Sequence, residues 1–248
     1  MEAEIRWVEE ATSTNSLLAA SAADAVHGYV IAARRQTAGR GQRGNSWESA
    51  SGMNLTFSML LRPTAIEAAS QFRLSMIISL GVCEALDRAA GRHDAFSIKW
   101  PNDIYYGDKK VCGILIENSL AGRRIERSIA GIGVNVNQLR FESDAPNPVS
   151  LVHIIGRETA LEPLLADICR SIIDRYEDYR NNHDFERLVG EYRRRLWRKT
   201  GLHKWHDCLK DEKVVASVEN VADDGILTLR LDDGSLRSYA FKEVAAVL

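Results

Sequence analysis

The segment best suited to holding a charged ligand is the glycine-rich stretch QTAGRGQRGNSW, residues 36–47. Gly39 and Gly41 begin the spacing G-x-G-x-x-G, which occurs in loops whose backbone closely approaches phosphate groups. Arg40 and Arg43 add two guanidinium groups, which suit a phosphoryl compound. A solvated hairpin turn would explain the same pattern, so the stretch indicates a ligand only together with other segments.

The segments that flank the glycines exclude two familiar kinds of phosphate loop. The run GYVIAARR before them and the alternating run NLTFSML after them are both typical of strands. A dinucleotide-binding loop needs a following helix, because the helix N-terminus holds the pyrophosphate. A protein-kinase loop has the right flanks, but the chain contains no H-R-D, D-F-G or A-P-E motif.

A second group of candidate residues lies in the run KWPNDIYYGDKKVCGIL. Asn102 and Asp103 end one strand pattern, and Lys110 begins the next, just before the small residues Cys112 and Gly113. A lysine at the start of such a strand can reach a ligand lying against the backbone, where its charge suits a carboxylate or phosphate. A hairpin with solvated lysines is the alternative explanation.

Two further segments carry polar groups beside open backbone. In GIGVNVN, Gly131 and Gly133 share one strand face, and Asn135 continues it with an amide that could contact a base. A sheet packed under a helix would explain that face equally well. The triplet STN at residues 13–15 opens a helix pattern, where it could cap the helix, bind a ligand, or do both.

These segments, in this order, resemble the motifs of the biotin protein ligases, or biotin-[acetyl-CoA-carboxylase] ligases. Family members carry S-T-N, Q-T-x-G-R-G-R-x-G-R-x-W, K-W-P-N-D, K-x-x-G-I-L and G-x-G-x-N; this chain carries STN, QTAGRGQRGNSW, KWPND, KVCGIL and GIGVN. Gln42 and Asn45 replace two of the family's arginines. Because a neutral amide loses the charge assistance to phosphate, we expect faster release of a bound adenylate unless Arg43 compensates.

The resemblance implies an ATP-dependent, AMP-forming ligase. Such an enzyme uses ATP and Mg²⁺ to convert biotin to biotinyl-5′-AMP, and then transfers biotin to a lysine of a biotin carboxyl carrier protein or domain of a biotin-dependent carboxylase. A lipoate ligase shares this logic but accepts another acid. A different alternative is a nucleic-acid-binding regulator that uses the basic run EYRRRLWRKTG, which a solvated helix face explains more simply.

The resemblance also implies roles for individual residues. Lys110 would neutralise charge between the biotin carboxylate and the α-phosphate, helped by Arg40 and Arg43. The implied biotin site comprises Ser13, Thr14, Asn15, Gln36, Gly39, Arg40, Gly41, Gln42, Lys110, Gly113, Leu115, Gly131 and Gly133, with the glycines leaving space for the ring and tail. The implied ATP site comprises Arg40, Arg43, Trp47, Asn102, Lys110 and Asn135, with Trp47 over the adenine. Asp103 would either orient Lys110 or help to hold hydrated Mg²⁺.

The expected architecture is α+β, with residues 1–200 forming a catalytic biotin- and ATP-binding domain and residues 201–248 a small β domain. Short β-branched and aromatic runs predict a mixed, mainly antiparallel sheet, and amphipathic helices are predicted between residues 161 and 197. Two Asp-Gly turns near the end, flanked by alternating apolar residues, predict a meander or a small barrel. The resemblance implies a class II aminoacyl-tRNA synthetase-like sheet followed by a Src-homology-3-like barrel, and leaves a homodimer possible.

Net charge, apolar runs and cysteine spacing indicate the cellular environment in which this chemistry is expected. The formal net charge of -2 gives no general attraction to nucleic acid, and no apolar run approaches the ~20 residues that span a membrane. The four cysteines form no C-x-x-C pair, which argues against a zinc site. We therefore expect a cytoplasmic protein, and the acidic start MEAEIRWVEEATSTN predicts no signal peptide. Because the STN motif begins at residue 13, the resemblance implies the monofunctional type, which lacks an N-terminal DNA-binding domain and binds no DNA.

Overall fold

The computed structural model describes residues 3–22, 24–41, 46–143 and 146–247, which form two β-sheets and five α-helices. The larger sheet has seven strands in the spatial order β1-β2-β3-β7-β6-β5-β4. Its strands are β1 (Ile5–Ala11), β2 (Val30–Gln36), β3 (Leu55–Leu61), β4 (Phe96–Lys99), β5 (Asp103–Tyr106), β6 (Lys109–Ala121) and β7 (Arg124–Val134). Only β1 and β2 are parallel neighbours, so the sheet is mainly antiparallel, as predicted.

The strands on either side of the glycine-rich stretch are β2 and β3, which confirms the strand–loop–strand prediction. The alternating sequence of β3 predicts a half-buried strand, but all seven of its residues are buried. Leu55, Phe57 and Met59 join the hydrophobic core on one face. On the other face Ser58 is covered by the start of the first helix, whose polar side chains satisfy its hydroxyl. The polar face of β3 is therefore a buried contact surface rather than a solvated one.

Four helices lie near the segments where the sequence pattern predicts helices, with shifted ends, and the short helix at Leu151–Ile155 lies where none is predicted. They are α1 (Thr14–Ser21), α2 (Phe72–Ala90), α3 (Leu151–Ile155), α4 (Leu161–Asn182) and α5 (Phe185–Arg194). The apolar periodicity of AIEAASQFRLSMIISLGVCEALDRAAG predicts one long helix, but α2 begins later, since a 3₁₀ turn at Ala68–Ser70 precedes it, and it ends at Gly91 in the left-handed conformation. The sequence predicts a break near Asn181 and Asn182, and the break between α4 and α5 lies at His183, which is also left-handed.

The smaller sheet is antiparallel and has the order β11-β10-β9-β8-β12. Its strands are β8 (His203–Asp207), β9 (Glu212–Val221), β10 (Leu227–Leu231), β11 (Leu236–Tyr239) and β12 (Val244–Ala246). Apolar residues of this sheet share one core cluster with α2 and the larger sheet. The strands of the larger sheet all come before residue 200 in the sequence, and those of the smaller sheet all come after it. The division of the chain into two domains at this point stays a prediction.

Specific contacts fix the smaller sheet against the rest of the chain. The Arg73 guanidinium of α2 donates to the Asp223 carboxylate, with Nε 2.6 Å from Oδ1. The Trp100 indole donates to the Gly225 carbonyl oxygen at 3.0 Å. Gly225 has φ 91°, and a β-carbon there would lie 2.7 Å from the Phe72 ring, so the turn needs glycine for both its conformation and its close approach. This turn positions the smaller sheet over the W-P-N-D segment.

Candidate active site

A cavity of about 1000 Å³ lies between the larger sheet and the smaller one. Most of the residues singled out from the sequence line it. These are Ser13, Thr14, Asn15, Gln36, Arg40, Gly41, Trp47, Asn102, Asp103, Lys110, Gly113, Leu115, Gly131, Gly133 and Asn135. Segments that are distant in the sequence thus converge on one concave surface. Gln42 and Arg43, for which the resemblance implies contacts with the ligands, and Asn45, which replaces a family arginine, lie outside the described residues.

One wall of the cavity is a buried hydrogen-bond network at the start of α1. The Ser58 hydroxyl lies 2.5 Å from Asn15 Oδ1 and 2.8 Å from Thr14 Oγ1. Gln36 Oε1 accepts from the Thr14 backbone N–H at 2.9 Å, so it satisfies one of the free donors at the helix N-terminus. The Ser13 side chain makes no capping bond, although Ser13 is the N-cap residue. The triplet therefore holds a network across strands rather than a simple helix cap.

Gly131 makes this network possible. A β-carbon at Gly131 would lie 2.2 Å from Asn15 Oδ1, closer than atoms of a side chain and a methyl group can approach. Asn15 thus lies directly on the bare backbone of β7. Its Nδ2 donates to Glu117 Oε2 at 2.6 Å, and Arg40 Nη2 donates to the same oxygen at 3.1 Å.

Glu117 is a site residue that the sequence analysis missed. It joins Asn15 of the STN triplet to Arg40 of the glycine-rich stretch through one carboxylate oxygen. The alternation of strand side chains could have identified it, since Glu117 shares the face of Gly113 and Leu115 on β6. The pairing with Asn15 could not be inferred in that way, because the two residues lie far apart in the sequence.

Gly113 and Gly133, two of the glycines expected to leave space for the ligand, lie under the Trp47 ring. A β-carbon at Gly133 would lie 2.4 Å from Trp47 Cε2, and one at Gly113 would lie 2.8 Å from Cζ3. The family resemblance implies a ligand in this space and in the space at Gly131. Here protein side chains fill both spaces, with Asn15 on Gly131 and Trp47 on the other two. A ligand that uses the floor at Gly113 and Gly133 must therefore displace the indole.

Trp47 also carries an unsatisfied polar group. Its Nε1 is buried and has no hydrogen-bond partner among the described residues. A buried donor without a partner costs about 1–3 kcal/mol, so this position of the indole is less favourable than one in which the N–H is bonded. The Lys110 ammonium lies 5.7 Å from the centre of the ring.

Gly39 has a structural contact that differs from its predicted role. It is not among the residues that line the cavity. The Trp47 backbone N–H donates to its carbonyl oxygen at 3.0 Å, and a β-carbon at Gly39 would lie 2.5 Å from the Trp47 carbonyl oxygen. Gly39 therefore lets the two ends of the loop approach each other, and its contact with biotin stays a prediction.

Lys110 lies at the start of β6 with its ammonium 2.7 Å from the Asp103 carboxylate. Both side chains are about 30 % exposed, at 31 % and 28 %, so the ion pair borders the cavity without being sealed from it. Of the two roles considered for Asp103, this geometry favours orienting Lys110. No cluster of three or more His, Cys, Asp or Glu side chains suited to a metal occurs within the described ranges.

Two asparagines provide polar groups on the same surface. Asn135 is 3 % exposed, and its Nδ2 donates to the Val149 carbonyl oxygen at 3.2 Å. Its Oδ1 has no hydrogen-bond partner in the part of the chain that the structure describes, so a buried acceptor remains available. Asn102 is also buried and also lines the cavity. Lys99, Phe241 and Lys242 line the cavity as well, and the sequence analysis singled out none of them.

The buried cysteines do not provide the cavity with a nucleophile. Burial raises the pKa of the Cys112 thiol well above its usual range, and burial likewise raises the pKa values of the Cys83 and Cys169 thiols. Such thiols stay protonated and are poor nucleophiles. Cys112 is next to Gly113 in β6, but its side chain belongs to the core.

The comparisons with known proteins agree with this geometry. A sequence profile of the biotin/lipoate A/B protein ligase family matches residues 7–135, just over half of the chain. The chain therefore belongs to this family. Within it, the biotin--[acetyl-CoA-carboxylase] ligase of Paracoccus denitrificans is 30% identical over 211 residues, which cover 81% of this chain and 83% of that one. The resemblance read from the motifs is confirmed.

A solved structure of a family member extends the agreement to the whole fold. The biotin protein ligase from Aquifex aeolicus in complex with biotin and ATP superimposes with a TM-score of 0.80 at 27% identity, covering 98% of this chain and 97% of that one. The predicted fold class is thereby confirmed. The Bacillus subtilis bifunctional ligase/repressor BirA is 29% identical over 88% of this chain, which spans 66% of the length of that relative.

The basic run that suggested a nucleic-acid-binding regulator is mostly engaged within the protein. Arg195 pairs with Asp87 at 2.7 Å and with Asp94 at 2.8 Å. Trp197 is buried, and its indole donates to Asp108 Oδ1 at 2.9 Å. Arg195 and Trp197 therefore join the end of α5 to the sheet, while Arg193, Arg194 and Lys199 are exposed, as expected for a solvated face. None of the described helices combines the length and hydropathy needed to cross a membrane.

Proposed function

We propose that the chain is a biotin protein ligase, which activates biotin with ATP and transfers it to a lysine of a biotin carboxyl carrier protein or domain. The observation that carries the proposal is the convergence of the five family motifs on one cavity that contains a lysine ammonium. Its volume falls within the range that holds small-molecule ligands. Family relatives and structures named for biotin and ATP support this choice.

Lys110 is the proposed centre of the first step. The biotin carboxylate and the α-phosphate are both negative, so a cation must lie between them before the carboxylate oxygen can attack phosphorus. That attack forms the carboxylate–phosphate bond and releases pyrophosphate. Lys110 supplies a charge held in place by Asp103, and Arg40 supplies another that is held by Glu117. Charge that is oriented in advance stabilises the transition state without further reorganisation.

The network around Asn15 is proposed to bind biotin. It presents amide and hydroxyl groups whose positions are fixed by buried hydrogen bonds and by the absence of a side chain at Gly131. The nucleotide would lie towards Asn102 and Asn135, where the free Asn135 Oδ1 can accept from a base. When Trp47 leaves Gly113 and Gly133, its indole can cover the adenine, as the resemblance implies.

The described residues also fit the Mg²⁺ that the family resemblance implies. Magnesium usually keeps several waters and takes one or two protein carboxylates together with phosphate oxygens, and the partly exposed Asp103 carboxylate on the cavity wall suits that role. Asp103 is the proposed carboxylate. When bound, Mg²⁺ would neutralise phosphate charge, and Asp103 would continue to orient Lys110.

In the second step the lysine amine of the carrier would attack the carbonyl carbon of the mixed anhydride. A carbon–nitrogen bond forms, AMP leaves with the bonding electrons, and the amine loses a proton. Water must be kept from the same carbon, and the walls contributed by both sheets would do so. Homodimer formation, a cytoplasmic location and the absence of DNA binding remain predictions.

The alternative acid is lipoate, since the family as a whole includes both biotin and lipoate ligases. ATP–pyrophosphate exchange distinguishes the two. We expect exchange that depends on biotin and is absent with lipoate or with no acid, because the QTxGRG and KWPND motifs are those of the biotin enzymes. Exchange with lipoate alone would contradict the biotin assignment, and exchange with neither acid above background would contradict adenylation altogether.

A further inference from the structure

The residue after Trp47 joins two segments that line the cavity. Glu48 Oε1 accepts hydrogen bonds from Gln138 Nε2 and from the Glu142 backbone N–H, both at 2.9 Å. Its Oε2 accepts from the Ser143 backbone N–H at 2.8 Å. Burial raises the pKa of the Glu48 carboxyl, but these hydrogen bonds outweigh burial, and the pKa lies below its usual value. Glu48 is therefore ionised at neutral pH, and its hydrogen bonds are charge-assisted.

One of the three donors, Gln138 Nε2, belongs to a side chain that is itself held by buried hydrogen bonds. Gln138 is 4 % exposed, and its Oε1 accepts from the Asn54 side chain at 2.6 Å and from the Ala50 backbone N–H at 2.9 Å. Asn54 Oδ1 in turn accepts from the Val136 backbone N–H at 2.9 Å. Buried and mutually satisfied polar groups of this kind hold one arrangement. The Glu48 carboxylate is thus fixed at the ends of β3 and β7.

The other two donors belong to a segment that forms part of the cavity wall. Phe141, Ser143 and residues 146–148 line the cavity. At its far end the segment pairs with the start of β6, where the Lys110 backbone N–H donates to the Asn147 carbonyl oxygen at 2.8 Å. Residues 142–143 therefore lie beside the Glu48 carboxylate, and residues 147–148 lie beside the proposed catalytic lysine.

We propose that Glu48 is a positioning residue that fastens the wall segment 139–143 to the Trp47 end of the glycine-rich stretch, and so controls how long the adenylate is retained. Glu48 touches no reacting atom in this account. Its carboxylate is the link through which the two segments hold a common position, and the inference rests on the proposed function. Loss of the link should affect the adenylate, which needs both segments, more than biotin, which lies on the Asn15 side.

The test uses synthetic biotinyl-5′-AMP, so that binding is measured whether or not the protein makes the compound. We expect Glu48→Gln and Glu48→Ala to release the adenylate about 10-fold faster than wild type, equivalent to about 1.4 kcal/mol. Release of biotin alone should change less than about 2-fold, because the Asn15 network is intact. Hydrogen exchange should show loss of protection at the Glu142 and Ser143 amides in the same variants.

Glu142→Gln is the matched control. It makes the same chemical change on the same segment, but the Glu142 side chain is exposed and has no hydrogen bond or ion pair to a described residue. We expect adenylate release from this variant within about 2-fold of wild type. Unchanged release from both Glu48 variants would overturn the inference, and so would equal acceleration of biotin and adenylate release, which would indicate general loosening. Absence of biotin-dependent exchange in wild type would instead count against the proposed function.

Discussion

Lys110→Ala should lower the rate of biotinyl-5′-AMP synthesis by at least about 100-fold, because preorganised charge at a developing phosphate centre contributes several kcal/mol. The ammonium lies in the cavity, held 2.7 Å from the Asp103 carboxylate. Its removal also leaves that carboxylate without its cation, so the site changes from neutral to negative where two anions must meet. Biotin-dependent ATP–pyrophosphate exchange measures the loss directly.

Lys109→Ala is the matched control for this variant. Lys109 occupies the preceding position of β6, carries the same charge and is exposed to solvent. We expect its exchange rate to stay within about 2-fold of wild type, since an exposed charge is screened by water and salt. Near-normal exchange in Lys110→Ala, or an equal loss in both variants, would show that the charge of Lys110 has no special position.

Gly131→Ala should reduce kcat/KM for biotin by about 30-fold or more while leaving the sheet folded. The added methyl group would lie 2.2 Å from Asn15 Oδ1, so Asn15 must leave its place on β7. Its contacts with Ser58 and Glu117 are then broken, and about 2 kcal/mol of lost positioning corresponds to about 30-fold. Steady-state kinetics with varied biotin and a thermal unfolding curve separate binding from stability.

Two variants make this result specific. Gly190→Ala adds the same methyl group on α5, where the nearest heavy atom beyond the adjoining helix backbone is an Arg194 side-chain nitrogen at 3.9 Å, so the kinetics should be unchanged. The double variant Asn15→Ala, Gly131→Ala should lose little more than Asn15→Ala alone, because the clash has been removed. Additive losses of kcat/KM in the double variant would contradict the inference that Gly131 makes room for the Asn15 side chain.

The sequence predicts the fold better than it predicts contacts within the site. Helices α2 and α4 carry long apolar periodicities, and the glycine after α2 marks its end, so their existence follows from local pattern. The buried polar face of β3 does not, because its cover comes from α1, a separate part of the chain. Alternation records which residues share a face, and not what lies over that face.

The same distinction applies to the cavity. Motif positions select Lys110 and Asn15, which line the cavity, and alternation along β6 would have added Glu117, which accepts from Asn15. The seating of Trp47 on Gly113 and Gly133 depends on where a loop returns to the sheet, and no local periodicity encodes that return. Phe241 and Lys242 enter from the smaller sheet, so their place depends on how the two sheets pack.

We infer that this cavity converts biotin to an activated form and transfers it to a lysine. The most direct measurement is the intact mass of a purified biotin carboxyl carrier domain after incubation with the protein, ATP and an equimolar mixture of biotin and lipoate. We expect a gain of one biotinyl group, on one lysine, that requires ATP and is lost with Lys110→Ala. A lipoyl gain, or an unchanged carrier mass with active protein and ATP present, would contradict it.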